Sequence, residues 1–144
     1  PMSDDLLYDV KDRVALLTLN RENRRNAISQ EMIRSFRGRL AEMDRDGAVR
    51  AVCLTGTGEK AFCAGADLGV TLAGEGDDRL SGPRLYATLL KEIAKFPKPL
   101  VARVNGPCIA GGMGLMLACD IVIARDDTYF RLPEVNVGIF PMMV

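Results

Sequence analysis

Two stretches of small residues are the parts of this sequence where a ligand could reach the main chain. Residues 61–68 read AFCAGADL and residues 104–114 read VNGPCIAGGMG. Small side chains leave backbone N–H groups accessible, and the second stretch opens a predicted helix, whose first N–H groups have no acceptor inside the helix. Two such N–H groups that converge on one point would form an oxyanion hole. Close helix–strand packing also requires glycine, and composition alone favours that simpler interpretation.

Glu134 is one of the carboxylates to which proton transfer could fall. It follows Pro133 at the end of a predicted strand, with the apolar residues Leu132 and Val135 beside it. A carboxylate in apolar surroundings can exchange protons with a substrate, although a Pro-Glu pair at a strand end is more often a surface feature. The chain has no histidine, which excludes Ser-His-Asp triads, Cys-His pairs and imidazole-bound metals.

Composition indicates a single globular domain. The chain has 144 residues, of which 48% are apolar and 26% charged, and its 19 basic and 19 acidic residues cancel. This apolar content is enough for a folded core, and the balanced charge disfavours nucleic-acid binding. The four cysteines form no CxxC motif, so we expect buried free thiols in a reducing cytoplasm. No run approaches the ~20 apolar residues of a membrane span, and residues 1–5 lack a signal-peptide pattern.

The apolar pattern predicts an α/β fold, because strands alternate with helices along the chain. Ser29 is expected to cap a helix that runs to about residue 46, and a second helix is expected to begin at Pro83. The predicted strands are residues 6–10, 14–19, 51–55, 100–104, 120–124 and 128–132, and the predicted helices are residues 30–46, 83–96 and 111–118.

A dinucleotide site is an alternative for residues 56–61 (GTGEKA), which fit G-x-G-x-x-A directly after a predicted strand. A true fingerprint opens a helix whose N-terminus faces the pyrophosphate. No helical pattern follows these residues, so a turn is the favoured interpretation.

Five ordered motifs resemble the crotonase, or enoyl-CoA hydratase/isomerase, superfamily. Residues 20–28 are similar to its N-R-x(4)-N-A-L segment and residues 61–68 to its A-F-x-A-G-A-D-L loop. The others are K-P-x-x-A-x-x-N-G at residues 98–106, G-G-G-x-x-L-x-x-x-C-D at residues 110–120 and F-x-x-P-E-x-x-x-G at residues 130–138. Ala110 stands where the family has the first of three glycines.

The resemblance implies a crotonase-like spiral of ββα units with parallel sheets, acting on acyl-CoA thioesters in fatty acid metabolism. It places the oxyanion donors at the backbone N–H groups of Ala66 and Gly111, with Glu134 as the catalytic acid and base. It also implies a homo-oligomer, a trimer or hexamer, with no metal and no cofactor other than the coenzyme A of the substrate. The residues implied to bind coenzyme A or substrate are Arg25, Ala27, Ile28, Ala64, Asp67, Leu68 and Gly112.

Some of these positions have simpler explanations. Arg25 could meet a phosphate of coenzyme A or could be a solvated charge. Asp67 could serve only to fix its loop by accepting backbone hydrogen bonds.

Gly114 departs from the family pattern in a way that bears on the reaction. Two-glutamate hydratases of the family carry their other acid at this position, and glycine can neither transfer a proton nor orient water. A single glutamate suits a Δ3-Δ2-enoyl-CoA isomerase. The alternatives are a hydratase whose second acid lies elsewhere, Asp67 for example, and a non-catalytic module that binds CoA esters.

The last eight residues, 137–144 (VGIFPMMV), are apolar except for Gly138 and Pro141. Soluble chains usually end in polar residues, and we expect either a longer protein or a partner that covers this end. Family members continue beyond this point with mostly helical chain, so residues 1–144 are expected to form the core domain without its C-terminal helical part. The resemblance places the acyl pocket at residues 69–80, residues 83–90 and that further region.

Overall fold

A computed structural model describes residues 4–67, 81–138, 140–142 and 144 of the chain. Two short 3₁₀ helices, Glu22–Arg24 and Pro133–Val137, accompany the longer elements. Those elements are β1 (Leu6–Lys11), β2 (Val14–Leu19), α1 (Gln30–Arg45), β3 (Ala51–Gly56), α2 (Ser81–Ala94), β4 (Leu100–Val104), β5 (Cys108–Ile109), α3 (Gly111–Leu117), β6 (Ile121–Ala124) and β7 (Phe130–Arg131).

The main sheet has five strands in the order β1-β2-β3-β4-β6. Strands β1 and β2 form an antiparallel hairpin, whereas β2, β3, β4 and β6 are parallel neighbours. Parallel strands need a long crossover between them, and α1 supplies it between β2 and β3. This arrangement confirms the predicted α/β class with parallel sheet strands.

The core lies between one face of this sheet and the two longer helices. On β2, Ala15, Leu17 and Leu19 are fully buried while the residues between them face outward, as expected for a strand with one covered face. The apolar stripe of α1 is buried as its helical spacing predicts, and Ser29 caps this helix by accepting a hydrogen bond from the Met32 amide at 3.0 Å. The stripe consists of Met32, Ile33, Phe36, Leu40 and Met43.

The structure has a second sheet, one strand of which, β5, the local apolar pattern did not predict. It pairs β5 with β7 in parallel, with Cys108 opposite Phe130 and Ile109 opposite Arg131. Two residues are too few to show an alternating apolar pattern, which is why β5 escaped prediction. The strand predicted at residues 128–132 is present as β7, but it spans only Phe130–Arg131.

The four cysteines are free, but only two are as buried as expected. Cys63 and Cys108 are buried, whereas Cys53 and Cys119 are half-buried. The expectation of four buried thiols is therefore wrong for Cys53, whose side chain lies on the outer face of the sheet opposite Leu16 and Val101.

The turn interpretation of residues 56–61 is correct. Gly56 ends β3, Gly58 adopts a positive φ of 73°, and residues 57–67 form no helix. The helix N-terminus that a dinucleotide fingerprint requires is absent from this part of the chain. Among the described residues, no helix is long and apolar enough to cross a membrane.

Candidate functional site

The two small-residue stretches lie side by side in parallel. Cys63 and Cys108 form a parallel β-bridge, and the Ile109 amide donates to the Cys63 carbonyl at 2.9 Å. Ala66 lies three residues after Cys63, and Gly111 lies three residues after Cys108. Because the two segments run parallel from this bridge, Ala66 and Gly111 lie side by side at the same end of the paired segments.

The amides of Ala66 and Gly111 are close together, and neither has a partner among the described residues. The Ala66 nitrogen lies 3.8 Å from the position that a Cβ would occupy on Gly111, and the Gly111 nitrogen lies 3.2 Å from the corresponding position on Gly65. Within the described part of the chain, neither N–H donates a hydrogen bond to the backbone. Two free N–H donors this close can bind one oxygen that carries negative charge.

The first donor segment is held by pairing with residues 25–28. The Ala64 amide donates to the Arg25 carbonyl at 3.0 Å and the Ile28 amide donates to the Gly65 carbonyl at 2.8 Å. The Asp67 amide donates a hydrogen bond to the Ile28 carbonyl at 3.0 Å. In a parallel bridge, alternate N–H groups point in opposite directions, so the N–H of Ala66 points away from Ile28.

Arg21 anchors this segment, a role that the sequence did not reveal. Its guanidinium donates to the Asp67 carboxylate at 2.9 Å and to the Ala27 carbonyl at 2.8 Å, and it lies 3.2 Å from the Asp5 carboxylate. The side chains of Arg21 and Asp67 are only 17% and 11% exposed. Asp67 therefore fixes the loop, as one of the two interpretations proposed, but through a charged side chain rather than through backbone amides alone.

Two buried asparagines hold the turn that precedes the first donor segment. Asn26 donates to the carbonyls of Thr57 and Ala61 at 3.0 and 2.8 Å. Asn105 donates to the carbonyls of Gly56 and Gly58 at 2.8 and 2.7 Å. Buried side-chain amides of this kind satisfy backbone groups that a tight turn would otherwise leave unpaired. Both asparagines belong to the resemblance motifs, but only the structure gives the reason for their presence.

The second donor segment is held by close packing and by a backbone hydrogen bond to β7, and its backbone is strained at Ala110. A Cβ on Gly112 would lie 2.5 Å from the Cys63 carbonyl oxygen, so only glycine fits there. Ala110 has φ 51° and ψ −128°, a conformation that L residues rarely adopt. Its amide donates to the Arg131 carbonyl at 2.9 Å, which holds the peptide between Ile109 and Ala110, one peptide before the one that carries the Gly111 N–H.

Glu134 lies near the same end of the small sheet. Gly111 follows β5 by two residues, and Glu134 follows its parallel partner β7 by three. The Glu134 Oε2 atom is buried and has no hydrogen-bond partner within the described part of the chain. Leu132 and Val135, the apolar neighbours of this carboxylate in the sequence, are 39% and 76% exposed.

The remaining predicted positions fall into three groups. Ala27 and Ile28 are buried, Ala64 is half-buried and the Arg25 side chain is exposed. Gly114 is buried within α3. Leu68 and residues 69–80 lie outside the described residues, as does part of the predicted acyl pocket. The described residues contain no group of three or more metal-binding side chains.

This fold and this pair of amides define the crotonase class, and comparison with known proteins gives the family. Residues 9–144 match the family model described as enoyl-CoA hydratase/isomerase, and the chain belongs to that family. A Bacillus subtilis protein named after the same family is 40% identical over 141 residues, which are 97% of this chain and 54% of that protein. The 1,2-epoxyphenylacetyl-CoA isomerase of Escherichia coli is 37% identical over 144 residues, covering 97% of this chain and 55% of that protein.

A solved structure leads to the same conclusion. The enoyl-CoA hydratase from Bacillus anthracis superimposes with a TM-score of 0.91 at 32% sequence identity, covering 96% of this chain and 54% of that structure. The chain thus spans about half the length of these relatives.

Proposed function

We propose that this protein acts on acyl-CoA thioesters and isomerises a 3-enoyl-CoA to a 2-enoyl-CoA. The observation that carries the proposal is the pair of unpartnered amides at Ala66 and Gly111, which could together bind the thioester oxygen. The buried, unpartnered Oε2 of Glu134 at the end of the neighbouring strand supplies the proton acceptor. The names of the matched relatives, which include an isomerase of a CoA ester, support the substrate class.

In the proposed reaction, Glu134 removes a proton from C2 of the substrate. The C–H electron pair forms a C1–C2 double bond, and the carbonyl π electrons move to the oxygen, which becomes negative between the two amides. The same carboxyl group then returns the proton to C4. The C3–C4 π pair forms the new C4–H bond, the C1–C2 π pair moves to C2–C3, and a lone pair of the oxygen re-forms the carbonyl. No co-reactant is consumed.

The contribution expected from the amides is large. Removal of one preorganised donor from an oxyanion hole costs about 3–4 kcal/mol of transition-state stabilisation in other enzymes. A proton-transfer group at the correct position contributes roughly 10²–10⁴-fold. Both contributions fit residues whose hydrogen-bonding atoms have no partner among the residues that the structure describes.

The coenzyme A would lie along the paired segments 25–28 and 64–67. The exposed guanidinium of Arg25 could meet a phosphate, and Ala27, Ile28 and Ala64 would pack against the rest of the cofactor-derived chain. Leu68 and Gly112 complete the set that the resemblance implies. A homo-oligomer, as the resemblance implies, would cover exposed apolar side chains such as Phe140 and Met142, and the free thiols support a reducing cytoplasm.

Hydration of a 2-enoyl-CoA is the alternative, and several relatives are named as hydratases. It would need a second acid, because Gly114 cannot supply one. Asp67 was the other candidate, but its carboxylate is engaged by the Arg21 guanidinium. The described residues therefore favour the reaction that uses one carboxylate.

The two reactions can be separated by following the conjugated-thioester absorbance with two substrates. The proposal expects this absorbance to rise with a 3-enoyl-CoA and to remain constant with crotonyl-CoA. Glu134→Gln should lower the isomerisation rate roughly 10²–10⁴-fold, whereas Glu59→Gln, at an exposed glutamate, should leave it unchanged.

A fall in absorbance with crotonyl-CoA alone would establish the hydratase instead. Binding of acyl-CoA without turnover of either substrate would establish the non-catalytic CoA-ester module.

A further inference from the structure

Tyr86 contacts the proposed oxyanion site, whereas the resemblance placed it only among residues 83–90 of the acyl pocket. It lies on α2 and is 7% exposed. Its hydroxyl group donates a hydrogen bond to the carbonyl oxygen of Gly111. Its ring atom Cε1 lies 3.5 Å from the position that a Cβ would occupy on Gly111. Tyr86 therefore touches Gly111 through both its ring and its hydroxyl.

The hydroxyl group is what distinguishes this position from an ordinary core residue. A phenylalanine would fill the same position, and burial of a hydroxyl is unfavourable unless it has a partner. Burial raises the pKa of Tyr86 well above its usual value, so the hydroxyl stays protonated and remains a donor. Its partner is a carbonyl of the residue whose amide we place in the oxyanion hole.

Gly111 is thereby fixed on both sides. Before it, the Ala110 amide donates to the Arg131 carbonyl at 2.9 Å. After it, the Gly111 carbonyl accepts from Tyr86. Glycine has the softest backbone of all residues, so hydrogen bonds to the peptides on either side restrict the direction of the Gly111 N–H between them.

We propose that Tyr86 is a positioning residue whose hydroxyl, by holding the Gly111 carbonyl, aims the Gly111 N–H at the thioester oxygen. This inference rests on the proposed function, because it concerns the same oxyanion site. It extends that function by adding a side chain from α2, which neither contacts the reacting carbons nor transfers a proton.

The test is Tyr86→Phe, with Tyr8→Phe as the matched control on β1. Acyl-CoA labelled with ¹³C at the thioester carbonyl is bound to each variant, and the carbonyl resonance and the isomerisation kinetics are measured. Tyr86→Phe should lose part of the downfield shift that binding produces and should lower kcat about tenfold with KM within about twofold. Tyr8→Phe should retain the wild-type resonance and kcat.

A wild-type carbonyl resonance and wild-type kcat in a folded Tyr86→Phe variant would overturn the inference. If wild type neither binds nor turns over acyl-CoA, the proposed function itself fails, so the two failures are distinguishable.

A second measurement tests the inference on the protein with Tyr86 in place, in case the Tyr86→Phe variant does not fold. Protein containing 3-fluorotyrosine is titrated with the acyl-CoA, and its ¹⁹F resonances are assigned with Tyr8→Phe and Tyr129→Phe. The resonance of residue 86 should shift on binding while those of residues 8 and 129 remain constant. An unshifted resonance at residue 86 in the acyl-CoA complex would also contradict the inference.

Discussion

The two segments that carry the proposed oxyanion donors reach the same point by different physical means. Residues 63–67 are held by other parts of the chain, through backbone pairing with residues 25–28 and through the ion pair between Arg21 and Asp67. Residues 108–112 enter a helix and are held by the close packing of Gly112 against Cys63. Their backbone is strained at Ala110.

This difference determines what each segment tolerates. Ala66 is exposed, so its side chain can vary as long as its amide remains. In the second segment, by contrast, the absence of a side chain is required at Gly112, because the surrounding atoms leave no room there for a Cβ. The first segment should therefore be destabilised by substitutions that remove the Arg21–Asp67 ion pair. The second should be destabilised by substitutions that add a side chain at Gly112.

The largest expected effect comes from removing the amide hydrogen of the first donor. Ala66→Pro deletes the N–H group, and kcat should fall roughly 10²–10³-fold. Ala66→Ser keeps the amide and should remain within about threefold of wild type. Circular dichroism would verify that both variants fold, and equal kcat for the two would refute the role of this amide.

Two neighbouring glycines of the second segment should respond in opposite ways to the same change. Gly112→Ala forces a methyl group against the Cys63 carbonyl and should lower the free energy of unfolding by about 3 kcal/mol. At Gly111, the added Cβ meets its neighbours at 3.5 Å and beyond, which is ordinary contact distance.

Gly111→Ala should accordingly change stability by less than about 1 kcal/mol while lowering activity, because its methyl group lies beside the two amides. Urea unfolding and steady-state kinetics on both variants measure this contrast. Equal destabilisation by the two substitutions would show that the packing described for Gly112 is not specific to that residue.

The anchor of the first segment should have a moderate effect on stability. Asp67→Asn removes the charge that Arg21 contacts at 2.9 Å, and the free energy of unfolding should fall by about 1.5–3 kcal/mol. Asp127→Asn is a suitable control, because that carboxylate also pairs with an arginine, Arg125, but both side chains are far more exposed. If the two substitutions lower the free energy of unfolding equally, burial of the Arg21–Asp67 pair does not add to its contribution to stability.

Relief of strain in the second segment should give a smaller effect of opposite sign. Ala110→Gly allows the observed φ of 51° and ψ of −128° without steric conflict, and the stability should rise by about 1 kcal/mol after the entropic cost of glycine is included. Thermal unfolding would detect the increase. A lower melting temperature would mean that the methyl group of Ala110 contributes more by packing than it costs in strain.

The smallest expected effect concerns the two thiols that precede the donors. Burial raises the pKa of Cys63 and of Cys108 to about 12, so almost no thiolate is present at pH 8. Neither thiol should react with iodoacetamide in the folded protein, whereas the half-buried Cys53 should react slowly. Peptide mass mapping would identify the modified sites, and rapid labelling of Cys63 would indicate that the paired segments open.

Local sequence signals predicted the elements well, because each depends on nearby residues. The Ser29 cap and the spacing of Met32, Phe36 and Leu40 were enough to define α1. The strands β1 and β2 followed from two short apolar runs, and the structure pairs them as an antiparallel hairpin. These features need no knowledge of distant partners.

The site was less predictable, because its geometry depends on contacts between remote residues. Arg21 meets Asp67 across 46 positions, and Tyr86 meets Gly111 across 25. The bridge between Cys63 and Cys108, which brings Ala66 and Gly111 to one place, is likewise invisible in local patterns. The resemblance supplied the donor positions, and the structure supplied the reason that they converge.

The most direct measurement is infrared difference spectroscopy of an acyl-CoA, labelled with ¹³C at its thioester carbonyl, bound to wild type, Ala66→Pro and Ala66→Ser. The account predicts that binding to wild type and to Ala66→Ser lowers the carbonyl stretching frequency, and that Ala66→Pro restores most of it toward the free value. A wild-type complex whose carbonyl frequency equals that of free acyl-CoA would contradict the proposal that two amides hold the thioester oxygen.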